Sequence, residues 1–156
     1  MPVKKLTEFL GERGVKYVSI RHSAAFTAQE IAASAHISGR DVAKTVIVKL
    51  DGSLAMAVLP ADLDVNFDQL KAAAGADKAE LASESEFKDR FPECEVGAMP
   101  PFGNLYDMPA YADERLSEDE EIAFNAGSHR ELIKLPYEDY ERLVQPQIVR
   151  FAESHQ

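Results

Sequence analysis

The sequence predicts an α+β fold, and three observations carry the prediction. Helical and strand-like segments are mixed along the 156 residues without the strict βαβ rhythm of a doubly wound parallel sheet. Asp51-Gly52 lies between two apolar runs; it is the strongest short hairpin pattern in the chain, and such a hairpin joins antiparallel strands. No internal repeat or low-complexity linker divides the chain, and its length is that of one ordinary domain, residues 1–156.

The elements follow in order. Val3, Leu6, Phe9 and Leu10 recur at helical spacing, and Gly14 ends that helix. Tyr17, Val18 and Ile20 read as a short strand. Thr27-Ala28-Gln29-Glu30 has the pattern of a capping box opening a helix that contains Ile31 and Ala32. Ala43 to Leu50 is β-branched and strand-like, and Leu54 to Leu59 is the returning strand of the hairpin, stopped by Pro60. Phe67, Leu70 and Lys71 to Ala74 predict a helix closed by Gly75. Ser83-Glu84-Ser85-Glu86 is a second capping box, with Phe87 and Phe91 as the buried face and Pro92 as the stop. Glycine and proline breaks make residues 97–109 an extended loop. Tyr111 to Asp113, Ile122 to Asn125 and Glu131 to Leu135 are further strands. Pro136 to Val144 is a last short helix on Tyr137, Tyr140 and Leu143, and Ile148 to Phe151 a final strand.

Composition narrows the class. Hydrophobic residues at 46% and charged residues at 28% are those of a globular protein. The single cysteine, Cys94, excludes an intrachain disulfide and fits a reducing compartment. No run approaches the ~20 apolar residues that cross a bilayer, and the lysines near the N-terminus precede no apolar stretch, so the expectation is a cytoplasmic protein with no membrane contact. The net charge of -10 is uneven: residues 1–52 carry 8 basic and 5 acidic groups, residues 53–156 carry 9 and 22. Such a surface argues against gripping a long stretch of nucleic acid, though not against touching the end of one.

Familiar catalytic constellations are missing. His22, His36, His129 and His155 are widely separated and form no zinc motif; no GxGxxG, P-loop or GxSxG pattern occurs, so no metal and no cofactor is expected. Cys94 lies between Glu93 and Glu95, whose charges raise a thiol pKa, a poor setting for a nucleophile. Three segments remain. Lys44 has the parity of Val46, Val48 and Leu50; by spacing alone it reads first as a surface lysine at a strand end, and second as a lysine entering a pocket. Gly97-Ala98-Met99-Pro100-Pro101-Phe102-Gly103-Asn104 fixes a particular backbone path. It is either a nest of N–H groups for a carbonyl or a rigid connector with Phe102 plugged into the core. Asn125-Ala126-Gly127-Ser128-His129 is a turn with a surface histidine, or a place where a ligand approaches backbone at Gly127 and is bonded by His129.

In their order and spacing, these segments resemble the YbaK family, the prolyl-tRNA-synthetase-associated editing domains. The match runs through His22 with Ala25-Phe26-Thr27-Ala28-Gln29-Glu30, then Asp41-Val42-Ala43-Lys44-Thr45. It continues with Glu95-Val96-Gly97 into Pro101-Phe102-Gly103, and ends in Asn125-Ala126-Gly127-Ser128-His129-Arg130. The resemblance implies a curved, mostly antiparallel mixed sheet with a pocket on one side. It also implies hydrolysis of the ester between a small mischarged amino acid (alanine, cysteine or similar) and the 3'-terminal ribose of a tRNA, first of all a proline tRNA. It further implies Lys44 as the catalytic residue, and Phe26, Thr45, Gly97, Pro101, Phe102, Gly103, Gly127, Ser128 and His129 as substrate-binding residues. Lys44, the bend at Phe102 and the turn at Ser128 are expected to face one hollow. Arg21, Arg40, Lys44 and Lys49 would supply a small positive patch for the acceptor end. A monomer, with an aminoacyl-tRNA synthetase as a possible partner, completes the expectation; the alternative is a module that binds an aminoacyl end, or a synthetase, without catalysis.

Overall fold

The hairpin predicted at Asp51-Gly52 is the centre of the architecture. A computed structural model describes residues 4–21, 42–95, 97–128 and 130–154. Strands β2 (Val42–Leu50) and β3 (Ser53–Pro60) pair antiparallel from Ala43 opposite Pro60 to Leu50 opposite Ser53. Their turn has positive φ at both Asp51 (52°) and Gly52 (86°), the twist that a two-residue hairpin needs. Asp51 tolerates that conformation with its carboxylate bonded: Oδ1 accepts the N–H groups of Asp77 and Lys78. This docks the turn beside β5 (Ala79–Leu81), which runs antiparallel to the end of β2.

The remaining sheet grows outward from the hairpin. It includes β1 (Val18–Arg21), β6 (Ala110–Asp113), β7 (Glu121–Asn125), β8 (Glu131–Pro136) and β9 (Gln147–Val149), in the order β1-β8-β7-β2-β3-β6-β9. The pairs β1–β8, β8–β7 and β2–β3 are antiparallel; β7–β2, β3–β6 and β6–β9 are parallel. A separate two-stranded ribbon joins β4 (Leu63–Val65) to β10 (Ala152–Ser154). The fold is therefore α+β on a mixed sheet.

Both faces of the central strands are covered. Ala43 and Ile47 of β2, with Met56 and Val58 of β3, belong to one buried cluster. Leu6 and Leu10 of α1 (Lys4–Glu12), Phe102, Phe124, Ile133 and Tyr140 share it. Val48, Ala55, Ala57 and Leu59 face the other way, against Leu70 of α2 (Phe67–Ala74) and Phe151. Two covered faces explain why residues 55–59 read as an unbroken apolar run. The helix α2 is closed as its sequence predicts: Gly75 takes the left-handed conformation (φ 68°). Its start, which the sequence reading did not assign, is capped by Asn66, whose side chain accepts the Gln69 N–H.

The strands β4, β5 and β10 are not legible as separate elements, and the predicted strand Ile148 to Phe151 divides into β9 and β10 around Phe151. Asp113 makes that division. Wholly buried at the end of β6, it accepts the Arg115 N–H on Oδ1 (2.9 Å) and the Phe151 and Ala152 N–H groups on Oδ2 (2.9 and 2.7 Å). The capping-box prediction at Ser83 holds over a short helix, α3 (Glu84–Phe87), in which Glu86 Oε1 accepts the Ser83 N–H at 2.9 Å. The other predicted capping box, Thr27 to Glu30, and its helix through Ile31 and Ala32 lie outside the described residues. Among the described residues no helix is long and apolar enough to cross a membrane.

Glu86 also reaches Lys49 at 2.7 Å, and Lys49 bonds Glu80 at 3.3 Å. Lys49 and the Ser83 N–H hold the Glu86 carboxyl down at about 2, from an ordinary 4.5. A depressed carboxyl stabilises the fold above its unfolded value and loses that contribution as pH falls through the folded value. Glu86→Gln is therefore expected to lower the melting temperature at pH 7, with the difference fading between about pH 4.5 and pH 2. Parallel melting curves with a pH-independent gap contradict this.

Candidate functional site

The two glycine-bearing segments found in the sequence are bonded to each other. The Gly127 N–H donates to Ala98 O at 2.9 Å, and the Glu95 N–H donates to Gly127 O at 2.8 Å. Gly127 (φ 103°) and Gly97 (φ 85°) both occupy backbone conformations that side chains disfavour, so each glycine is needed where the chain bends into this clasp. The turn itself is closed by the Ala126 N–H on Glu131 O (3.0 Å) and by the Arg130 N–H on Ser128 Oγ (3.1 Å). Strand β7 thus ends in a turn that carries the 97–103 loop on its backbone.

Lys44 sits on the strand beside the one that ends in this turn. Val42 pairs with Ala123 and Ala43 with Phe124 in parallel, and Lys44 is the next residue of β2 after that pairing. Its side chain is about one-third exposed, and its Nζ stands 3.8 Å from Asp64 Oδ1 on β4. Thr45 points to the opposite face, where it is 8% exposed among the residues that surround Ala43 and Ile47. A cleft of about 210 Å³, lined by Pro60, Asp62, Leu63, Arg115 and Asp119, opens near this end of the hairpin; Pro60 is the strand partner of Ala43.

The expectation of one hollow shared by Lys44 and Phe102 is corrected by this geometry. Lys44 has the parity of Val46 and Val48 and projects to the second cluster's face, whereas Phe102 is in the first cluster. The Phe102 ring is 0% exposed, with Phe9, Phe124 and Tyr140 at centroid distances of 6.1, 5.5 and 5.6 Å. It anchors the loop from beneath, which is the connector reading of the segment, and does not line a surface pocket. Pro101 is buried too, and its carbonyl accepts the Tyr140 hydroxyl at 2.9 Å. Burial pushes that hydroxyl far above its ordinary value, so it remains a neutral donor.

Gly103 is fixed by close backbone approach. A Cβ added there runs into Met108 O, and the same glycine's carbonyl accepts the Tyr106 and Met108 N–H groups. Gly103→Ala is expected to cost about 1–3 kcal/mol through forced backbone displacement. Chemical denaturation measures it, and an unchanged midpoint contradicts it. Gly103 also opens a 3₁₀ turn (Gly103–Leu105), whose first N–H groups have no helical acceptor; Ala98 N–H, by contrast, is committed to Glu95 O.

One further expectation changes. Lys49, assigned to a positive patch, is occupied by Glu80 and Glu86. Phe26, His129 and Arg40 lie outside the described residues, as do His22, Asp41 and the Arg21 side chain. Cys94 is partly buried, with its Sγ 3.7 Å from the Tyr106 hydroxyl; burial raises the thiol, consistent with its reading as a non-nucleophile. Among the described residues no group of acidic, histidine or cysteine side chains is placed to hold a metal ion. The parity of Lys44 with its apolar neighbours was readable; which of two covered faces it met was not.

Comparisons with known proteins bear on the chain as a whole. The family model described as the aminoacyl-tRNA editing domain matches residues 22–143. The chain is 31% identical over 153 residues to the multifunctional Ser/Thr-tRNA deacylase ProXp-y of Escherichia coli (strain K12), spanning 95% of this chain and 91% of that one. A segment of 89 residues, 57% of this chain, is 32% identical to a proline–tRNA ligase of Bacillus mycoides (strain KBAB4), of which it covers only 16%. The fold agrees with that of a crystal structure described as a candidate trans-editing enzyme for prolyl-tRNA synthetase. That match has a TM-score of 0.83 and 19% identity, over 97% of this chain and 96% of the other.

Proposed function

Since the chain belongs to the aminoacyl-tRNA editing domain family and so to the aminoacyl-tRNA deacylases, we propose that its substrate is a tRNA mischarged with a small amino acid, cleaved at the ester to the terminal ribose. Serine and threonine are the first candidates, as the name of the Escherichia coli relative suggests; alanine and cysteine follow. The observation that supports this reading is the backbone clasp that joins the Gly127 turn to the Gly97–Gly103 loop through Ala98 and Glu95.

A synthetase discriminates a missing methylene by only about 1–3 kcal/mol, so a second site that hydrolyses the small misfit adds what the first lacks. The ester is already activated. Water adds to its carbonyl carbon, and the ribose oxygen departs with the proton, provided the carbonyl is polarised and the water held. In this reading Lys44 holds the terminal nucleotide by charge, and N–H groups of the Gly97–Gly103 loop polarise the carbonyl. Thr45, Gly127, Ser128 and His129, with Phe26, orient the amino acid, and Phe102 and Pro101 keep the loop in place. The whole chain, residues 1–156, acts as one cytoplasmic, monomeric editing domain on the acceptor end; proline tRNA and association with a synthetase are retained from the relatives.

A panel of tRNAs charged with serine, threonine, alanine and cysteine, assayed for release of free amino acid, tests the proposal. Release from at least one, with the cognate prolyl ester left intact, is expected. Binding that slows spontaneous ester decay overturns it in favour of a non-catalytic module.

A further inference from the structure

The side of the molecule where α1 meets the chain after Gly103 carries charge that ester hydrolysis does not use. Lys5, Phe9 and Arg13 recur every four residues, and the Arg13 N–H donates to Phe9 O at 3.1 Å, so the three share one stripe of α1 and its last turn. Both cations rest on aromatic rings. Lys5 Nζ stands 4.8 Å from the centre of the Tyr106 ring, and the Arg13 guanidinium 5.0 Å from that of Phe9. Phe9 in turn meets Phe102 edge-on at 6.1 Å. Arg90, at the end of a 3₁₀ turn (Lys88–Arg90), donates to Tyr106 O at 3.4 Å. The Tyr106 N–H closes on Gly103 O. Three cations thus border the end of the Gly97–Gly103 loop.

All three are exposed, in a protein of net charge -10. Among the described residues none of them forms an ion pair, whereas Lys44, Lys49, Lys78 and Lys134 each do. The carboxylates nearby are few. Glu8 is engaged by Lys4 at 3.6 Å, Glu12 shares its side of α1, and Asp89 and Glu93 flank Arg90 in the chain. Glu93 acts electrostatically on Cys94 and Tyr106. Lys5 and Arg13 are about 12 Å apart along the axis at the helical rise. One small anion does not bridge that distance, but successive phosphates of a nucleic-acid strand do.

We propose that Lys5, Arg13 and Arg90 hold backbone phosphates of the tRNA strand that leads to the esterified end. The proposal rests on the deacylase reading. It moves the positive patch away from the one expected at Arg21, Arg40, Lys44 and Lys49, of which Lys49 is engaged by Glu80 and Glu86. The rings of Tyr106 and Phe9 hold two of the cations in place before the RNA arrives, so less side-chain freedom is lost on binding. Phosphate contacts position a strand without reading its bases. Selection among esters is therefore left to the site at the Gly97–Gly103 loop.

Fluorescence anisotropy at several salt concentrations tests the patch, with an uncharged RNA hairpin that reproduces an acceptor stem and its single-stranded 3' end. Lys5→Gln with Arg13→Gln and Arg90→Gln is expected to weaken binding about tenfold or more at low salt and to make the log–log salt slope shallower by about 2, the share of three phosphates. The charge-keeping set Lys5→Arg, Arg13→Lys and Arg90→Lys is expected to stay within about threefold of wild type, since the electrostatic contribution follows charge. Lys71→Gln with Lys78→Gln, on and just beyond α2 over the other face of the sheet, is expected to change affinity less than about twofold. Melting temperature is followed for each. No binding by the intact chain, an unchanged slope in the glutamine set, or equal weakening by the Lys71 and Lys78 pair overturns the proposal. Binding of a polyglutamate peptide in place of the RNA overturns it in favour of an acidic protein partner. Because the hairpin carries no amino acid, failure here is separable from failure of the deacylase reading.

Discussion

Lys44→Ala is expected to lower kcat/KM for deacylation by about a hundredfold or more if the proposed role holds, the usual cost of removing a positioned charged donor from a site that stabilises developing charge. Lys44 lies on β2, the strand that pairs with β7 at Val42 and Ala43, and Asp64, 3.8 Å from its ammonium, is a partner exposed enough to be exchanged for substrate. Most of the loss is expected in kcat, because misplacing the ester relative to its polarising N–H groups slows chemistry even at saturation. Lys44→Arg restores charge but not the compact ammonium geometry and recovers only part of the rate. Lys49→Ala, on the same strand but engaged with Glu80 and Glu86, leaves turnover within about twofold. Single-turnover kinetics on mischarged tRNA measure all three. Wild-type rates in Lys44→Ala remove the lysine from the mechanism.

The second large effect concerns stability. Asp113→Ala strips the acceptor from three backbone N–H groups at a wholly buried position. Each donor left bare costs roughly 1–3 kcal/mol, so the expected loss is about 4 kcal/mol, a large part of an ordinary domain's ~5–15. At roughly 2–4 °C per kcal/mol for a chain of this size, the melting temperature falls by about 8–16 °C. Asp113→Asn keeps one acceptor oxygen and falls between the two. A shift under about 3 °C for the alanine variant contradicts the role assigned to the carboxylate. Nothing around Asp113 in the sequence announces this role: its three donors are Arg115, two residues on, and Phe151 and Ala152, nearly forty residues away.

What could be read from the chain, and what could not, divides along physical lines. Turn and cap chemistry is local, so Asp51-Gly52, Gly75 and Ser83 to Glu86 stand where their residues place them. Three-residue strands such as β4 and β5 have too few positions to show a period, and their pairing with β10 and β2 depends on tertiary contacts. At the candidate site, both glycine segments are legible as bends, but their mutual bonding is not, since it joins backbone atoms some thirty residues apart. Phe102 illustrates the remaining ambiguity. An aromatic in a Gly/Pro loop suits a pocket wall or a core plug equally by sequence, and only the surrounding Phe9, Phe124 and Tyr140 rings decide for the plug.

The strand bearing Lys44 is sandwiched between two packed layers, with consequences for how activity decays under stress. Local opening frees frayed ends and thinly covered loops, while the most shielded strands exchange their amide hydrogens only when the entire molecule unfolds. Amides of Ile47 and Val48 on β2, and of Met56 and Ala55 opposite them, therefore belong to the slowest-exchanging set. The lysine is mounted on the last element to give way, so warming should extinguish turnover in step with global melting and not ahead of it.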